Sequence, residues 1–209
     1  MTEAEWLACD DPEVAIYGLH IRLSDRKKLL FICGCCRLVW ERFPDEPCRK
    51  AVEVCERYAA GMADEEELQR ARDVLPWAYP WDGPLAASNR ILSVVRTITH
   101  PGLTARVYEA RSVADIWAYA AERTRQSALL REMVGNPFRP VVVVPAWRTE
   151  TSLALARLAY EERAFDRLPI LADALEDAGC TDRAILDHLR CPGPHVRGCW
   201  VVDRLLGKD

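Results

Sequence analysis

Residues that open helices and residues that close them alternate along this chain at short intervals, and over most of its length no other pattern competes. Thr2-Glu-Ala-Glu5 has the form of a capping box, a hydroxyl at the cap and a carboxylate three positions on, which satisfies two otherwise unpaired backbone N–H groups. Asp11 followed by Pro12 restarts the chain, because proline's fixed φ suits the first helical position. Ser24-Asp25 predicts a stronger helix over 25–43. Its apolar run from Leu29 to Cys36, continued by Leu38, Val39, Trp40 and Phe43, is too wide for a surface stripe, so this helix is expected to be buried. Ala51, Val52, Cys55, Tyr58 and Ala59 fall at helical spacing before Gly61, and Asp64-x-x-Glu67 reads as another capping box.

The stretch 76–84, PWAYPWDGP, interrupts this rhythm with three prolines and three aromatics, and is the expected linker between an N-terminal set of helical hairpins (1–75) and a C-terminal helical region (85–209), the alternative being one compact domain throughout. Beyond it Ile91, Leu92, Val94, Val95 and Ile98 predict a helix stopped at His100-Pro101-Gly102, and 105–134 stays helix-compatible with Thr104 as cap. Phe138 to Trp147, FRPVVVVPAW, reads as an extended connector, since Pro140 and Pro145 bracket four valines and proline is unwelcome inside a sheet. Thr149 or Thr151 opens the next helix. The tail then predicts three more: 168–177 closed by Gly179, a short one after Thr181-Asp182, and a last one over 195–206 with Val196, Trp200, Val201 and Leu205 inward. The fold class is therefore mainly α, an antiparallel array of about nine or ten helices with one Pro/Val-rich connector.

Charge narrows the function classes. The net charge is −4, against the basic surface that general nucleic-acid or anionic-membrane binders need. No window is apolar enough to span a bilayer, and the acidic start MTEAEWLACDD lacks the basic region of a signal peptide. Nine cysteines without an export signal are expected as thiols or metal ligands in a cytoplasmic protein.

Several long motifs carry a resemblance. MTEAEWLACDDPEVAIYGL, LLREMVGNPFRPV and AFDRLPILADALEDAGC followed by HVRGCWVVDRLLGKD are similar to a large paralogous family of uncharacterised planctomycete proteins. The resemblance covers most of the chain and implies no known activity, cofactor or catalytic residue. Relatives often carry Cys after the position matching His188, where this chain has Leu189.

The tail concentrates ligand chemistry. His188, Cys191, His195 and Cys199 are spaced H-x2-C-x3-H-x3-C, and zinc takes imidazole and thiolate in a tetrahedron. His195 and Cys199 share one helix face if the last helix begins near 195, with His188 and Cys191 arriving across the Pro-Gly-Pro turn. The spacing matches no standard zinc-finger pattern. Cys33-Gly-Cys-Cys36, with Cys48 and Cys55, reads instead as buried small hydrophobes among Leu, Ile and Val. No nucleophile–base pair, phosphate loop or HExxH motif is present, so no catalytic residue is assigned. The residues 182–206 can be drawn as a helix-turn-helix, but 151–209 holds 8 basic residues against 10 acidic ones, the wrong balance for a groove reader. Trp77, Tyr79 and Trp81 form the aromatic loop expected either to contact a partner or to fold back as a lid. These features together predict a non-enzymatic helical interaction or adaptor protein with a protein partner. The alternatives are a zinc protein with its site in the tail and, less in keeping with the charge, a nucleic-acid-binding regulator.

Overall fold

Helix starts marked by capping side chains in the sequence carry those bonds in the structure, a computed structural model that describes residues 1–43, 45–78, 88–99 and 119–208. The described part is helical with no strand, and it forms two compact units, Met1–Ala128 and Leu129–Asp209. Of the expected boundary stretch 76–84, only 76–78 lie within the described residues, as does none of the predicted stop at His100-Pro101-Gly102 or the cap at Thr104.

In the first unit, α1 (Glu3–Ala8) begins with both bonds of its capping box: the Thr2 hydroxyl accepts from the Glu5 N–H at 3.3 Å, and the Glu5 carboxylate accepts from the Thr2 N–H at 2.7 Å. It delivers Trp6 into the core. α2 (Pro12–Gly18) starts on Asp11, whose carboxylate accepts from the Glu13 N–H at 2.9 Å and also pairs with Arg123. α3 (Asp25–Leu38) is capped by Ser24 and is buried at every position from Leu29 to Cys36. A 3-10 turn (Trp40–Arg42) replaces the expected last turn of this helix. α4 (Glu46–Ala59) returns against it, presenting Cys48, Ala51, Val52 and Cys55 to the same core.

Across this hairpin Arg37 meets Glu56 with two hydrogen bonds of 3.0 Å while its guanidinium lies 3.9 Å from the Trp40 ring centroid. The fork geometry keeps an almost fully buried carboxylate paired. α5 (Glu65–Asp73) packs on α4, and its Asp64 cap accepts from the Glu67 N–H at 2.7 Å. Glu67 turns its own carboxylate to Arg57, at 2.7 and 2.9 Å. α6 (Ser88–Ile98) also packs on α4 and buries Ile91, Leu92, Val94, Val95 and Ile98, the set its spacing predicts. Each such aliphatic side chain removed from water contributes about 1.5–3 kcal/mol.

α7 (Tyr119–Val134) contains the division between the units and ends at Gly135, whose φ of 75° an L side chain rarely adopts. From there the second unit runs through 138–144 without regular structure, as the Pro/Val pattern predicts, but the end of the expected connector, Pro145–Trp147, is a 3-10 turn. The Val141 carbonyl accepts from Arg204 at 2.6 Å. α8 (Glu150–Glu161) is capped by Thr149, resolving the choice between the two threonines. α9 (Leu168–Asp177) packs on α8 and on α10 (Arg183–Arg190), which is capped by Asp182.

One element departs from expectation. α11 covers Trp200–Leu206, so residues 195–199 are not helical and His195 and Cys199 do not share a helix face. Gly198 holds a φ of 96°, incompatible with helix continuation. Just before it, Arg197 is drawn away to donate to the carbonyls of Tyr160 at 2.7 Å and Glu161 at 2.6 Å. Those are terminal carbonyls of α8, which have no partner within their own helix. Capping α8 therefore competes with extending α11, and the tertiary bonds win.

Candidate metal centre

The 191–199 loop, the last turn of α10 and the last turn of α7 bring four donor-bearing side chains together. Glu132, His188, His195 and Cys199 each offer one ligand atom, and these atoms all lie within 4.8 Å of one another. His195 Nδ1 is 3.0 Å from Glu132 Oε1, His188 Nε2 is 3.3 Å from Glu132 Oε2, and His188 Nε2 is 3.2 Å from Cys199 Sγ. A tetrahedral ion with bonds of about 2.0–2.3 Å separates its ligand atoms by roughly 3.3–3.7 Å. Of the three separations one meets that span and two fall just short of it, while the remaining ones are bounded by 4.8 Å, so the four side chains reach a tetrahedral shell with small adjustments of their ligand atoms.

Three of the four tail residues named by spacing are in this group, and Cys191 is not. Its thiol is exposed, and it contributes its backbone carbonyl instead, 2.8 Å from His195 Nε2. A carbonyl only accepts, so Nε2 carries a proton and donates it there. That bond turns Nδ1 toward Glu132 and fixes which nitrogen is presented, the arrangement by which outer groups orient metal-ligating imidazoles.

Glu132 takes the place that spacing offered to Cys191, and it was missed because it lies far upstream. Its side chain is only 5% exposed. It sits in the last turn of α7, where the helix dipole disfavours a negative charge, and its ion-pair partners among the described residues are the two histidines. The available signal was its register: in LLREMV it stands three residues after Leu129 and beside Met133, both buried. A carboxylate on an apolar face calls for a cationic partner.

The surroundings act on each group differently. Burial holds the His188 ring below the usual imidazole range, with Glu132 working in the opposite sense and His195 adding to the depression. For His195 burial also opposes the charge, but the hydrogen bond and the negative charge of Glu132, with the Cys191 carbonyl, outweigh it and raise the value. Burial, followed by the Glu132 charge, pushes the Cys199 thiol well up. A thiol held neutral in this way is not a ready nucleophile. The same His188 nitrogen faces both Cys199 and Glu132, so the carboxylate does not orient the ring from behind as a catalytic triad requires.

The cysteines of the first unit sit in a different environment. Cys33, Cys35, Cys36, Cys48 and Cys55 are all buried and unbridged, as expected for small core hydrophobes. The Cys33 thiol is pushed well up by its hydrogen bond with Cys55 and by burial, and the Cys35 thiol by burial. Of the aromatic loop, Trp77 is 86% exposed with the Arg96 guanidinium 5.1 Å from its ring centroid. Tyr79 and Trp81 lie outside the described residues. Among the described residues, no helix is long and apolar enough to cross a membrane.

No protein-family model matches the chain, and no curated protein or solved structure is significantly similar to it.

Proposed function

We propose that this is a zinc-binding helical protein whose second unit holds one ion through Glu132, His188, His195 and Cys199. The observation that carries this reading is the convergence of a buried carboxylate, two imidazoles and a thiol within 4.8 Å. One oxygen, two nitrogens and one sulfur suit a borderline ion that accepts a tetrahedron, which favours zinc over magnesium or calcium. Four protein donors leave no place for water in such a shell. The ion then acts as a brace tying the ends of α7 and α10 to the 191–199 loop. A reducing, cytoplasmic setting suits it, because oxidation of Cys199 would remove a ligand.

Elemental analysis of the purified protein tests the reading. About one zinc per chain is expected, falling below about a tenth in Cys199→Ala combined with His188→Ala, since structural zinc needs its full ligand set. A wild-type chain that neither retains nor takes up zinc contradicts it.

A second reading, binding of a protein partner through Trp77, is favoured by the 86% exposure of that ring. Trp is enriched where interfaces concentrate their energy. Trp77→Ala is expected to abolish capture of a specific partner at unchanged melting temperature. Loss of stability without loss of a partner would mean that the ring belongs to the fold.

A further inference from the structure

His188 presents Nε2 on a ring that turns about its Cβ–Cγ bond, a torsion with broad preferences, and a half-turn would set carbon where nitrogen faces Glu132 and Cys199. Two rings flank it. Trp200 lies with its centroid 5.2 Å away and its plane tilted by 51°, and His195 lies at 5.3 Å, edge-on at 82°. Trp200 is itself confined. The Arg204 guanidinium is 5.3 Å from its centroid, and a Cβ added at Gly135 would stand 3.1 Å from two indole carbons. Gly135 thus has two duties: it ends α7 just beyond Glu132 with φ at 75°, and it leaves the space in which the indole stands.

We propose that Gly135 and Trp200 are positioning residues for the metal centre, the glycine making room for the indole and the indole fixing the His188 ring plane and shielding it from water. The proposal rests on the zinc reading above, since neither residue offers the ion a ligand. It explains why a nearly buried tryptophan stands directly after the ligand Cys199. It also assigns specificity: a ring held in one plane favours the ion whose geometry matches that plane over ions that need the ligands to move.

The test is a cobalt(II) titration of the full chain, read by the visible bands of four-coordinate cobalt and by the thiolate-to-cobalt charge-transfer band. Helicity is followed in parallel by circular dichroism. Trp200→Ala and Gly135→Ala are expected to weaken cobalt binding about 10–100-fold, the usual effect of losing an outer-shell partner, and to alter the visible bands. Trp200→Phe retains a flat wall and should lose less. Gly179→Ala is the control for backbone strain, because Gly179 has φ at 84° but nothing within 4 Å of an added Cβ, and it should bind cobalt like the wild type. Should Trp200→Ala fail to fold, Trp200→Phe and Gly135→Ala decide the matter. Wild-type cobalt bands that persist unchanged in affinity and shape in these variants overturn the positioning role and leave the metal reading standing. A loss in Gly179→Ala equal to that in Gly135→Ala overturns it as well, by assigning the effect to strain. A wild-type chain with no cobalt bands overturns both readings.

Discussion

Cys191 and Cys199 bracket one short loop yet occupy opposite environments, the first exposed and the second 1% exposed beside Glu132. Thiol reactivity follows thiolate fraction and access. In the native protein Cys191 is therefore expected to alkylate first, with Cys33, Cys35, Cys36, Cys48 and Cys55 slower by at least about tenfold on that principle. Mass spectrometry of timed iodoacetamide reactions checks this, and equal labelling of Cys33 and Cys191 would contradict the packing of α3 against α4. The same pair shows what residue spacing can convey. Cys and His at short intervals marked the segment where His188, His195 and Cys199 come together with Glu132, but which cysteine turns inward depends on Gly198 and Arg197. Glu132 was hidden for a related reason. Its partners are supplied by a distant part of the chain, and only its place on an apolar helix face marked it locally.

The helices were readable where their ends are set by neighbouring residues. Thr2, Asp11, Ser24, Asp64, Thr149 and Asp182 all cap in the structure as their positions imply. The start of α11 was not readable, because the carbonyls that Arg197 caps belong to another helix. α10 illustrates the functional weight of a cap. Asp182 accepts from the Ala184 N–H at 2.8 Å and the Ile185 N–H at 3.4 Å, and the helix it starts carries His188 near its other end. Asp182→Ala is expected to cost about 1 kcal/mol in urea unfolding, the ordinary value of an N-cap. It should also weaken zinc binding by loosening the helix that presents the imidazole. Unchanged stability would mean that packing of Ile185, Leu186 and Leu189 alone holds α10.

Across the molecule, the helical class followed from the density of caps and the width of the apolar faces, and the Pro/Val connector forms no strand, although its last three residues, Pro145–Trp147, tighten into a 3-10 turn instead of staying extended. Each unit has its own buried set: Phe31, Ile32, Cys55 and Ile91 in the first, Tyr160, Leu168, Leu171 and Val201 in the second. All four proposed ligands belong to Leu129–Asp209, so the centre is built within one unit. The central claim is the identity of its donors. Zinc K-edge X-ray absorption on the loaded protein tests it most directly, because sulfur and the lighter donors scatter at separable distances, about 2.3 Å and about 2.0–2.1 Å. One sulfur and three nitrogen or oxygen neighbours are predicted, with the sulfur lost in Cys199→Ser and retained in Cys191→Ser. A shell of light atoms only, or one whose sulfur disappears with Cys191, would contradict the account.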